Sequence, residues 1–349
     1  MRSLLLAAVF AGGIVACAPD QNSTEPSEVL DVSEAKARTY SVVDLGVLAE
    51  PGASEANAIN AAGQVVGYSE TAAGEFHAAL WNNGAITDLG VLGGEFSRSS
   101  RATDINASGQ IVGFSTTDDP AFEHAFVWKN GVMNDLGEPG VESRALAINP
   151  RGQVVGFFRN AAVQERAVLW ANGTTTELGT LGGGNSAALD VNPAGQIVGR
   201  SETASGRYHA FLWKSGVIID LGTLGGDFSQ ATGINAAGQV VGTSLTPAGD
   251  MHGFIWTKGV MTDLGMLEGC TQVEVEDINA SGQVVGWCQA SAVGFAGHAF
   301  LWQKGVMTDL GDLAPETNRA LGINNAGQVV GSSRTESRYP HATLWTHGR

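Results

Sequence analysis

The sequence predicts an all-β fold, a seven-bladed β-propeller of four-stranded blades, and three observations lead there. The core Gly-Gln-Val/Ile-Val-Gly recurs at Gly63, Gly109, Gly152, Gly195, Gly238, Gly282 and Gly327, 43 to 46 residues apart. A Trp follows in every copy: Trp81, Trp128, Trp170, Trp213, Trp256, Trp302 and Trp345. Each copy breaks into four short runs rich in Val, Ile, Phe and Trp, with no apolar 3.6-residue period long enough for a helix. A period of about 40–50 residues belongs to propeller blades and solenoids.

In the fifth copy, strand a is Ala231–Asn235, strand b Gln239–Ser244, strand c His252–Trp256 and strand d Val260–Leu264. Asn-x-x-Gly joins a to b and Trp-x-x-Gly joins c to d. A type I turn closed by a left-handed residue favours Asn first and Gly fourth. Pro150 and Pro193 occupy its second position, where their fixed φ fits. Backbone geometry thus accounts for the repeated Asn and Gly. Within strand c, His, Phe and Trp alternate onto one face. One such sheet cannot bury enough surface alone, so the copies must stack. An open β-solenoid is the competing architecture, but no terminal cap follows Trp345.

Residues 40–46 read as a strand d with no a, b or c before it, and the seventh copy has a, b and c but no d. Strand 40–46 is therefore expected to complete the last blade, with Asp44 serving His341. The domains are then a signal segment (1–16), Cys17 with a flexible tether (17–39) and the propeller (40–349). A formal net charge of −16 gives little attraction for nucleic acid or anionic lipid.

Arg2, the apolar run Leu4–Val15 and Ile14-Val15-Ala16-Cys17 resemble a bacterial lipoprotein signal. That implies export, lipidation of Cys17 and a membrane contact through the lipid alone. Cys270 and Cys288 lie in the sixth copy, where a–b pairing brings Cys288 opposite residue 273 or 274. An exported protein allows a disulfide between them, with two buried thiols as the alternative.

His77, His124, His209, His252, His298 and His341 share one repeat position, taken by Arg166 in the third copy. Strand c lies third from the axis, so these rings stand over about 10 Å apart, too far to share a metal ion. Asp44, Asp88, Asp135, Asp220, Asp263 and Asp309 recur in Asp-Leu-Gly, with Glu177 in the third copy. His and the acid eleven residues later are expected to interact in each blade, because Arg166 and Glu177 change together. No nucleophile elbow, phosphate loop, dinucleotide fingerprint or metal motif is present, so neither catalytic residues nor a cofactor is expected.

Function is expected on the variable b–c and d–a connections, which share one face. Glu95, Phe96, Phe122, Tyr208, Asp227 and Phe228 are the candidates there; acids beside aromatics suit a sugar or a peptide.

His124-Ala125-Phe126, His209-Ala210-Phe211 and His298-Ala299-Phe300, with the shared Trp, Asp-Leu-Gly and Asn-x-x-Gly motifs, resemble the HAF-repeat family of extracellular bacterial proteins. The resemblance covers nearly all of 40–349 and departs at Ala79, Gly253, Thr343, Arg166 and Val168. It implies export and a repeat β fold, and it carries no established activity. The sequence reading is a monomeric, envelope-anchored binding module for an extracellular glycan or protein. A polysaccharide-acting propeller enzyme and a ligand-free structural envelope protein are the alternatives.

Overall fold

The computed structural model describes residues 40–94, 98–118, 122–290, 297–314, 317–336 and 339–348. Cys17, the signal segment, the tether, Glu95 and Phe96 lie outside the described residues. Seven four-stranded antiparallel sheets, each ordered a-b-c-d, make a seven-bladed propeller. Blade 1 runs Ser54–Ile59, Val65–Glu70, Phe76–Asn82 and Ala85–Asp88. Strand a is innermost and touches strand a of both neighbouring blades. The last sheet consists of Asn318–Ile323, Val329–Arg334 and Pro340–His347, with Tyr40–Asp44 along its outer edge. There Val42 pairs with Trp345.

Each a–b turn closes as its chemistry requires. Gly63 sits at φ 79° and its N–H bonds the Asn60 carbonyl at 3.0 Å. The second Gly of the core has a different reason. Strand a bulges in every blade, between Ala56 and Ala58 in the first. A Cβ on Gly67 would overlap the Glu55 carbonyl oxygen, and the equivalent glycines meet the same obstruction.

The Asn of each turn also ties blades together, which its backbone role did not foreshadow. Asn60 Oδ1 accepts the N–H groups of Ala62 and Gln64, and Nδ2 donates to Gln64 Oε1 at 2.8 Å. The same Nδ2 donates to the carbonyl of Asn106 in the next blade at 3.2 Å. This contact repeats from Asn106 to Asn149, Asn192, Asn235, Asn279 and Asn324. Asn324 then donates to Asn60 at 3.1 Å, closing a ring of seven bonds. All seven residues are at most 5% exposed.

Core packing shows an exchange of volume within strand c. Phe126, Phe211, Phe254 and Phe300 are fully buried, and the Trp two residues later is half-buried in each of those blades. Where that position holds Ala79, Val168 or Thr343, Trp81, Trp170 and Trp345 are buried instead. A large indole occupies the volume that a smaller neighbour leaves. The departures from the repeat at these positions are thus compensated inside their own blades.

Strand Tyr40–Asp44 covers the outer edge of the seventh sheet. Removing residues 40–46 strips this edge and leaves His341 without its acid. Thermal unfolding of the deletion variant is expected to show a midpoint lower by several degrees, with added aggregation. A midpoint equal to the parent's contradicts a stabilising role for this strand.

Candidate functional site

The expected pairing on the outer strands is present in all seven blades. His77 and Asp88 lie 2.9 Å apart, His124 and Asp135 2.8 Å, and His209 and Asp220 2.9 Å. His252 reaches Asp263 at 2.7 Å, and His298 reaches Asp309 at 2.9 Å. In blade 3, Arg166 Nε donates to Glu177 at 2.6 Å. His341 meets Asp44 at 2.8 Å. This bond holds the His341 pKa above its ordinary value. Burial pushes the Asp44 carboxyl upward, but bonds from His341 and the Gly46 N–H outweigh it and leave the pKa lowered. These pairs are the fold's internal fastenings.

Chemistry at the axial mouth on the loop face comes from a belt of two positions. One lies in strand a, where it pairs with the second position: Glu55, Arg101, Arg144, Ala187, Gln230, Glu274 and Arg319. The other follows Val-Gly or its equivalent in strand b: Tyr68, Phe114, Phe157, Arg200, Thr243, Trp287 and Ser332. They face each other across each blade. Strand b of one blade also meets strand a of the next. The Arg101 guanidinium lies 4.3 Å from the Tyr68 ring centre, Arg144 4.6 Å from Phe114, and Arg319 4.3 Å from Trp287. Thr243 donates to Glu274 at 3.3 Å, and Ser332 to Glu55 at 3.1 Å.

The belt divides into two arcs. Across blades 2 to 4, charges alternate in one chain. Glu123 pairs with Arg144 at 2.7 Å, Arg144 with Glu142 at 3.5 Å, and Glu142 with Arg159 at 2.6 Å. Arg159 then meets Glu165 at 3.5 Å, and Glu165 meets Arg200 at 3.2 Å. Across blades 6, 7, 1 and 2, Arg101 and Arg319 form no ion pair or hydrogen bond through their side chains among the described residues, and both are exposed. Burial pushes Glu276 up to about 7; Glu274 and Glu55 add to this, while Trp287 Nε1 (3.1 Å) and Arg319 oppose it. Burial likewise raises Glu274, and pushes Tyr68 up to about 12 with help from Glu55. Contacts run continuously through blades 6, 7, 1 and 2: Glu274 stands opposite Trp287, Arg319 lies over Trp287 and opposite Ser332, Ser332 reaches Glu55, and Glu55 stands opposite Tyr68 beneath Arg101.

The described loop candidates fall in two places, blade 2 and the passage from blade 4 to blade 5. Phe122 is half-buried beside blade 2, its carbonyl accepting from Thr117 at 3.4 Å. Tyr208 opens strand c of blade 4, with Arg200 5.7 Å from its ring centre. Asp227 pairs with Arg207. The Phe228 carbonyl accepts from Leu245 N–H at 2.9 Å. Sequence reasoning missed Tyr68, Arg101, Trp287 and Arg319. The available signal was the residue after Val-Val-Gly, variable yet aromatic in four of seven copies.

Two blades depart from the repeat at one fastening. In five blades a Leu N–H following strand d donates to a strand b Ser, as Leu92 does to Ser115 at 2.9 Å. Blade 3 has Pro139, which lacks the donor, and Phe158 in place of the Ser. Phe158, Trp170, Leu136 and Val141 line a pocket of about 140 Å³ there. Blade 6 has Cys288 in place of the Ser; it stands opposite Val273 and is joined to Cys270, with Cα atoms 5.8 Å apart.

Around the axis, three half-buried carboxylates bridge alternate blade pairs. Asp104 accepts the N–H of Ile105 and, at 2.8 Å, that of Ile148 in the next blade. Asp190 does the same for Val191 and Ile234, and Asp277 for Ile278 and Ile323. Burial pushes Asp104 up to about 7 and Asp190 up to about 8, and raises Asp277.

No family model matches the sequence, and no curated protein matches it. Solved β-propeller structures do. The chain is similar to the β-propeller domain of the Trilobed protease from Pyrococcus furiosus, at 11% identity and TM-score 0.56, over 88% of this chain and 94% of that one. It is also similar to the Pyrococcus horikoshii acylaminoacyl peptidase, at 12% identity and TM-score 0.53, over 86% and 52%. A puromycin hydrolase complexed with PGG gives 14% identity and TM-score 0.53, over 85% and 52%. The chain spans about half the length of the last two. At these identities the likeness establishes the fold class, a β-propeller.

The three aspartates give a pH test. Their folded pKa values exceed the ordinary value near 4, so between about pH 4 and 8 the folded chain holds protons that the unfolded chain releases. Their contribution favours folding at the acid end and is lost as pH rises through the folded values. Asp190→Asn is expected to flatten the fall in urea-unfolding stability between pH 5 and 8, alongside a general loss from one mismatched N–H bond. An unchanged slope contradicts this assignment.

Proposed function

We propose that this chain is an exported, envelope-anchored binding module of the HAF-repeat kind. Its ligand, an extracellular glycan or protein, meets the loop face at the axial mouth. The observation that carries the reading is the division of the belt. One arc links its charges in a chain of ion pairs, and in the other Arg101 and Arg319 stack on Tyr68 and Trp287 with no ion pair among the described residues. A rigid ring holding a variable polar surface is the usual arrangement for recognition. The Ile14–Cys17 motif supports lipid anchoring at Cys17.

One observation favours a second reading. Glu274 and Glu276 of blade 6 and Glu55 of blade 1 lie on the same arc, and Glu276 is pushed up to about 7 chiefly by burial, so one carboxyl there can carry a proton beside charged ones, as acid–base action on a polysaccharide needs.

A glycan array and an envelope-extract pulldown with the full-length chain test the first reading, followed by product analysis on any glycan bound. Retention of an intact glycan or protein supports binding; cleavage of the glycan supports the enzyme; no retained species rejects both. Cys17→Ala is expected to move the protein from the membrane fraction to the soluble fraction. Retention after a carbonate wash contradicts the anchor.

A further inference from the structure

We propose that the open arc of the mouth, formed by Arg101, Arg319, Glu55 and Glu274, is a binding site for a carboxylate-bearing saccharide of the uronic acid type. This deepens the reading above and rests on it.

The two arginines set the anion requirement. Most described arginines are matched to acids: Arg98, Arg144, Arg159, Arg166, Arg200 and Arg207 all have ion pairs. Arg101 and Arg319 instead lie on aromatic shelves, 4.3 Å from the Tyr68 and Trp287 ring centres. Stacking fixes the plane of a guanidinium and leaves its N–H edge free, which suits two-pronged bonding to a carboxylate. Arg319 stands opposite Ser332, whose hydroxyl reaches Glu55, and Glu55 stands opposite Tyr68 beneath Arg101, so the two charges lie on one continuous arc.

The acids set the second requirement. Glu55 accepts hydroxyl bonds from Ser332, at 3.1 Å, and from Tyr68, and Glu274 accepts one from Thr243 at 3.3 Å. A carboxylate accepts several bonds, so each retains capacity for a ligand donor. A simple anion satisfies the arginines and is repelled by the glutamates. A uronate supplies a carboxylate to the arginines and hydroxyl donors to the glutamates. A neutral sugar leaves the guanidiniums unmatched. The free C-terminus of a peptide offers the carboxylate but lacks the array of hydroxyls.

Isothermal titration of the full-length chain with a tri-galacturonate, its methyl ester and a tripeptide with a free C-terminus tests this. The acid trisaccharide is expected to bind, the ester at least about tenfold more weakly, and the peptide not measurably. Arg101→Gln and Arg319→Gln are each expected to weaken acid binding by about 10- to 100-fold, the range for one charge-assisted bidentate bond. Both side chains are exposed, so the unfolding midpoints are expected to match the parent's. Equal binding of acid and ester, acid binding indifferent to both substitutions, or preference for the peptide overturns the proposal. If the acid fails while the array or pulldown yields another ligand, the uronate site falls and the binding-module reading stands. If nothing binds in any format, both fall.

Discussion

The structure depends on a ring of seven amide-to-carbonyl bonds in which each turn Asn donates to the next. Every polar group of Asn60 is used: its N–H and carbonyl hold the turn, Oδ1 takes two amides, and Nδ2 serves Gln64 and the neighbouring blade. A buried amide so fully engaged is costly to replace, because any change leaves a buried donor or acceptor unmatched. The ring also joins the last blade to the first through Asn324 and Asn60. Ser54, whose Oγ accepts the Ala342 N–H at 2.9 Å, reinforces that junction. The inner strands are thereby placed, and their placement fixes the belt at the mouth.

Around that ring, individual fastenings are exchanged without loss of the fold. Arg166 and Glu177 replace a His–Asp pair. A disulfide stands where blade 6 lacks its Ser. Buried Trp170 accompanies Val168 where other blades bury a Phe. Each exchange keeps both halves of an interaction matched, which is how a repeat drifts in sequence while its blades remain superposable in role.

The repeat made the fold legible. Blade count, strand order, turn chemistry and the His–acid pairs all follow from features that recur at a fixed spacing. The Asn ring was hidden because a sequence reveals the turn that an Asn makes but not the neighbour that its second amide hydrogen finds. The mouth was hidden for a related reason. Tyr68 and Arg101, or Trp287 and Arg319, belong to different copies and meet only after blades are stacked. The loop candidates were chosen for acids and aromatics in the connections, and the described ones belong to blade 2 and to the passage from blade 4 to blade 5.

The most direct measurement compares the unfolding free energies of Asn192→Asp and Asn160→Asp. Asn160 makes the same local turn, with Oδ1 accepting from Ala162 and Gln164, but lies in a b–c connection and, among the described residues, its side chain bonds no other blade. Aspartate keeps the accepting oxygen in both places and removes the amide donor. At Asn192 it also sets a carboxylate against the Asn235 carbonyl, 3.2 Å from the present donor. The account predicts a loss of about 2–4 kcal/mol at 192 and under about 1 kcal/mol at 160. Equal losses at the two positions would contradict the ring as the interaction that holds the blades together.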